Sequence, residues 1–174
     1  MKSNTPIIVR MLLNQFVMSI FGIMITLSTL AISEQFASLA SCIPIFLYFF
    51  LIYHNLWDKG ARDVLTAQRT GVSTPLKGFL YALYASIPTI VLTAVFSVIT
   101  KEMTYTSYFA DVAYTAAKLI LTFCFQGMYH GIALIFSYHF VFYILAIFPA
   151  IIVGGLAYAM GYRNIRIIPE NKKD

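Results

Sequence analysis

The stretch DVAYTAAKLILTFCFQGMYH, residues 111–130, decides how this chain folds: it is apolar enough to enter a bilayer, yet it carries Asp111, Thr115, Lys118, Thr122, Gln126 and Tyr129. Those six residues recur at spacings of 4, 3, 4, 4 and 3. At ~100° per residue they form one narrow polar stripe on a continuous helix. Such a stripe either lines a route across a membrane or is the wet side of a helix lying on the membrane surface. The segments around it distinguish the two.

Of the 174 residues, 60% are apolar, 16% aromatic and 11% charged. Water-soluble domains carry roughly a quarter charged residues, so the composition is that of an integral membrane protein. Four long apolar segments surround the stripe, at about residues 11–32, 39–57, 78–99 and 140–160. Each is close to the ~20 residues that a bilayer-crossing helix requires. The first, 22 residues long, exceeds the ~7–15 of a signal-peptide core and reads as an uncleaved span. The whole of 1–174 is then a single membrane domain.

Lysine and arginine concentrate in three places: Lys2 and Arg10 before the first span, Lys59 to Lys77 after the second, and Arg163 to Lys173 at the C-terminus. Cytoplasmic segments carry the excess of these residues, which puts all three on one side and both termini in the cytoplasm. The chain must then cross an odd number of times between residues 110 and 163, and 140–160 supplies that crossing. By this parity residues 111–130 form an amphipathic helix on the outer face, surface-lying or shallowly re-entrant, with the stripe toward water. An ionised Lys118 at mid-bilayer would cost about 2.5–3.5 kcal/mol, which points the same way. The fold class expected is therefore all-α: four transmembrane helices plus one outer-face amphipathic helix.

The net charge of +5 comes from short segments flanking apolar runs, with no basic patch to grip a polyanion. No nucleic-acid partner is expected, and orientation and contact with the lipid bilayer account for the charge. His54 lies near the inner end of the second span and His130 and His139 near the outer face, too far apart in depth for His54 to share a haem or metal with either. Cys42 and Cys124 stand 82 positions apart. They form no metal-binding spacing, and the topology puts both near the outer boundary as free thiols or a disulfide pair. The sequence has no HExxH, GxSxG or phosphate-loop pattern. The four spans contain no Asp, Glu, Lys or Arg. Proton-coupled pumps and intramembrane hydrolases normally need such a group, so no catalytic residue, cofactor or metal is assigned.

The most distinctive polar string is WDKGARD, residues 57–63. If the second helix continues past the membrane, Asp58 faces Arg62 and Lys59 faces Asp63 at i, i+4. These four residues form a candidate docking loop for a partner, with Trp57 as a headgroup-level anchor. Asn14 and Gln15 sit one turn inside the first span, as helix-to-helix hydrogen bonds or part of a polar pathway. Pro44, Pro88 and Pro149 fall within spans and are expected to kink them, while Gly154, Gly155 and Gly161 permit close helix approach. Thr74 and Pro75 read as the N-cap and first position of the third span.

WDKGARD with PLKGF, then FQGMYHGI, then FPAIIVGGLAYAMGYR, together resemble a group of uncharacterised small multi-pass membrane proteins of Gram-positive bacteria. The resemblance covers about the last two thirds of the chain and implies a bacterial cell membrane, with no activity to carry over. The function expected is a non-enzymatic accessory or scaffold subunit working with a membrane protein partner. The alternative is a small transporter or channel component acting as a homo-oligomer.

Overall fold

The structure, a computed structural model, describes residues 5–71, 75–102, 108–136 and 140–165, and every regular element among them is helical. In order these are α1 (Thr5–Leu30), α2 (Glu34–Ala40), α3 (Cys42–Thr70), α4 (Lys77–Glu102), α5 (Tyr108–Leu121), a π turn (Thr122–Gln126), a 3-10 turn (Gly127–Tyr129), α6 (His130–Ile135), α7 (Phe140–Leu145) and α8 (Phe148–Tyr162). Five segments are long and apolar enough to cross a membrane: Thr5–Leu30, Glu34–Arg69, Lys77–Phe96, Tyr114–Ile135 and Val141–Tyr162. The fourth of these, 114–135, is the one that the sequence reading placed at the outer face, surface-lying or shallowly re-entrant.

α1 and α4 bury several small and polar residues while exposing large apolar ones, although Tyr48, Ile52, Leu56, Tyr81 and Tyr158 still form an apolar core between the helices. On α1 the buried face is Met11, Gln15, Ser19, Gly22, Ile23 and Thr26, mostly small or polar residues at helical spacing. Outward point Leu13, Val17, Met24 and Leu27, with Leu13 58% and Met24 63% exposed. In water, faces like these would be reversed. α4 repeats the pattern, burying Ser86, Thr89 and Thr93 and exposing Leu80, Ile87 and Val91.

Local chemistry sets the helix ends. Ser33 caps α2, its Oγ accepting from Phe36 N–H at 3.1 Å. α3 runs 29 residues to Gly71, whose positive φ of 72° closes it while its N–H bonds Ala67 O at 2.8 Å. At ~1.5 Å per residue α3 is longer than the ~30 Å thickness of a hydrocarbon core. Of Pro44, Pro88 and Pro149, Pro88 is the one in a helix interior. Pro44 is in the first turn of α3 and Pro149 at the start of α8, where a missing N–H removes no helical bond. α4 begins at Lys77, two residues after Pro75, which lies in the preceding turn. Thr74 is outside the described residues.

Glycines set how closely the helices pack. A Cβ at Gly60 would meet the Tyr158 and Tyr162 backbone, and one at Gly161 would meet that of Trp57. α3 and α8 therefore touch main chain to main chain, in parallel, since Gly154 lies against Ile52 and Leu56 while Gly161 lies against Trp57. α4 runs opposite to α8, with Gly78 against Tyr158 and Ala82 against Gly154. α1 runs opposite to α3, with Thr26 Oγ1 3.2 Å from Ser41 Oγ.

Segment 108–135 does not cross this bundle. Tyr114 and Leu121 pack with Phe96 near the end of α4. From there the chain descends: Thr122 O accepts from Ser19 at 2.8 Å and Phe125 O from Gln15 at 3.2 Å. It then climbs back, with Gly127 N–H on Ser19 Oγ, Met128 against Gly22, and Gly131 against Ala37 and Ser41. The segment is a V whose apex is at Phe125 and whose two limbs open toward the α2 end of the molecule. From Gln15 to Gly22 along α1 is ~10 Å, which measures the depth of the apex below Met128.

Candidate functional site

The apex of the V is where the chain gathers its buried polar groups. Gln15 Nε2 donates to Thr89 Oγ1 at 2.9 Å as well as to Phe125 O, tying α1, α4 and the π turn together. Gln126 Nε2 donates to Tyr143 O at 2.9 Å, joining the apex to α7. Ser38 Oγ donates to Gly131 O at 2.7 Å where the returning limb meets α2. Irregular backbone deep in an apolar medium survives only where such partners satisfy it. Gln15, Tyr48, Ser86, Thr89, Gln126 and Tyr129, together with the apolar Met128, Ala146, Ile147 and Ala150, surround a cavity of about 10 Å³.

The stripe is therefore divided. Thr115 is exposed and Lys118 half-buried, while Thr122, Gln126 and Tyr129 are buried inside the bundle instead of facing water. The ~100° step holds only along a continuous helix, and the π turn and 3-10 turn break that step between Thr122 and Tyr129. The side chain of Asp111 lies outside the described residues. Leu119, Ile120 and Phe123 face outward, as the amphipathic reading expects, whereas Met128 is fully buried.

At the opposite end of the molecule, both ion pairs expected in WDKGARD form. Arg62 pairs with Asp58, and Lys59 Nζ lies 2.8 Å from Asp63 Oδ1. Their surroundings differ. The Arg62 and Asp58 side chains are 72% and 41% exposed, against 27% and 22% for Lys59 and Asp63. Tyr158 Oη donates to Asp63 Oδ2 at 2.9 Å and Lys59 approaches the Tyr81 ring, so the second pair clamps α3 to α4 and α8. Only Asp58 and Arg62 present a polar surface outward. The Trp57 indole donates to Ile165 O at 2.7 Å, holding the chain just after α8.

A third feature is apolar. Ile45, Phe49, Ile132, Phe136, Leu145 and Pro149 line an open groove of about 460 Å³ between α3, α6, α7 and α8. Tyr129 and Ala146 line both the groove and the polar cavity. Sequence reasoning found neither concavity. The small and polar face of α1, with Gln15, Ser19, Gly22 and Thr26 at spacings of 4, 3 and 4, was the signal for the first.

Cys42 and Cys124 are both free. Cys42 opens α3 at the α2 end, while Cys124 lies in the π turn near the apex, so the two differ in depth. His54 is exposed, His130 half-buried, and His139 lies outside the described residues. Among the described residues no three His, Cys, Asp or Glu side chains are grouped to hold a metal ion. No family model, curated protein or solved structure matches the chain, so its geometry alone supports a functional reading.

Proposed function

We propose that this protein is a non-enzymatic accessory subunit of a complex in a bacterial cell membrane, crossing four times and seating an apolar segment of a membrane partner in its open groove. α1, α3, α4 and α7–α8 are the crossings. Segment 108–135 dips in from the outer face and returns, and the basic residues of α3's far end mark the cytoplasmic side. The observation that carries this reading is the contrast between the two concavities. The smaller one is lined by neutral polar and apolar groups and has room for about one water. The apolar one is over forty times larger and opens where a neighbouring helix or loop would lie.

A photo-crosslinking residue at Leu145, which is 59% exposed, tests it in membranes. One discrete protein adduct, absent when the crosslinker is placed at Leu13 on the far side of α1, supports the reading; lipid adducts alone from both positions would overturn it. A reporter fused after Asp174 that is active only outside the membrane would overturn the topology.

A second reading, a small transporter or channel component, is favoured by the broken helix whose tip gathers Gln15, Gln126 and Tyr129. It requires a homo-oligomer that makes liposomes permeable, and tight liposomes would dismiss it.

A further inference from the structure

We propose that the cavity at the apex of the V is a built site for one water molecule, held by Gln126 and Tyr129 and shared by α1, α4 and the re-entrant turn. This is independent of which functional reading holds. Gln126 is 2% exposed and Tyr129 7%. The Gln126 amide orientation is fixed, because its NH₂ must face the Tyr143 carbonyl, so Oε1 is the acceptor left over. Gln126 Oε1 and Tyr129 Oη are both buried without a hydrogen-bond partner among the described residues, and both residues are among those lining the cavity. Leaving two such groups bare in an apolar interior costs about 1–3 kcal/mol each.

The chemistry of the lining selects the ligand. Gln126 Oε1 needs a donor, and Tyr129 Oη–H needs an acceptor, so the ligand must do both. A monovalent cation would satisfy the oxygens but not the tyrosine proton, and the lining has no carboxylate to offset a buried charge. An anion would face Gln126 Oε1 with no Lys, Arg or His on the lining. The molecule is therefore neutral and both donor and acceptor. At about 10 Å³ the space is about one water probe, with the hydroxyls of Ser86 and Thr89 as further partners. The site ties together three elements that the helical ladder alone does not join.

The test is water-to-protein cross-relaxation in nanodiscs carrying protein labelled at Gln side chains, combined with a double-substitution cycle. Gln126→Met also removes the Nε2 bond to Tyr143 O, a loss common to the single and double variants, and coupling with Tyr129→Phe reports a shared ligand only together with the water contact. The expected result is a long-lived water contact at the Gln126 amide that is lost in Tyr129→Phe. Each single substitution should lower the melting temperature by about 2–4 °C, and the double by no more than the larger single. Melting should be equal in sodium, potassium and choline chloride. Additive losses, or no water contact in the folded native protein, would overturn the proposal. Melting that depends on the cation would replace water with a cation and overturn it too. If neither variant folds, the cross-relaxation and salt measurements on the native chain decide alone.

Discussion

Replacing Gln15 with Leu tests whether the V is held at its apex by hydrogen bonds or by packing alone. The substitution keeps the volume roughly constant but removes the two bonds from Nε2, to Thr89 Oγ1 at 2.9 Å and Phe125 O at 3.2 Å. Hydrogen bonds inside membrane proteins average about 0.6 kcal/mol each. The Thr89 hydroxyl and Phe125 carbonyl stay buried with one partner fewer, adding about 1 kcal/mol at the low end of the cost of an unmet group. The total is about 2 kcal/mol, or a fall in melting temperature of about 4–8 °C for a chain of this size. A local readout accompanies it. Cys124 is next to Phe125, and with Cys42→Ser it is the only thiol in the chain. Labelling of Cys124 by a membrane-permeant maleimide should accelerate several-fold in Gln15→Leu. Ser28→Ala is the control, since Ser28 is exposed and bonds back to Met24 O on its own helix. Unchanged melting and unchanged Cys124 labelling in Gln15→Leu would show that Gln15 does not hold the apex.

Three further outcomes are expected. Gly22→Val places a side chain on the Met128 backbone and should cost about 1–3 kcal/mol by overpacking, read as a lower melting temperature and faster proteolysis of the 122–131 segment. Tyr158→Phe removes the hydroxyl donor to Asp63 and should cost about 1–3 kcal/mol, since hydrogen bonds to charged groups are the stronger kind. The exposed pair is different: Arg62→Ala should change thermal stability by less than about 1 kcal/mol, so a loss of partner capture in that variant with melting unchanged would identify Asp58 and Arg62 as a docking surface.

Much of this architecture is set within single helices, where neighbours in sequence are neighbours in space. That the apolar runs near 11–32, 39–57, 78–99 and 140–160 are helical could be read directly, because a run of ~20 apolar residues needs no tertiary information to be recognised, although α1 ends at Leu30 and the last run is divided into α7 and α8. So could both ion pairs of WDKGARD, whose partners are four positions apart on one helix. The close packing at Gly154 and Gly161 follows from the absence of a side chain. What only the tertiary structure decided depends on contacts far apart in sequence. Ser19 meets Thr122 across 103 positions and Gln15 meets Phe125 across 110, and these bonds accompany the break that turns Thr122, Gln126 and Tyr129 inward. Asp63 likewise looks like a surface residue until Tyr158, 95 positions later, donates to it. A helical wheel assumes one unbroken axis, and it fails where distant partners make a broken axis cheaper than a straight one.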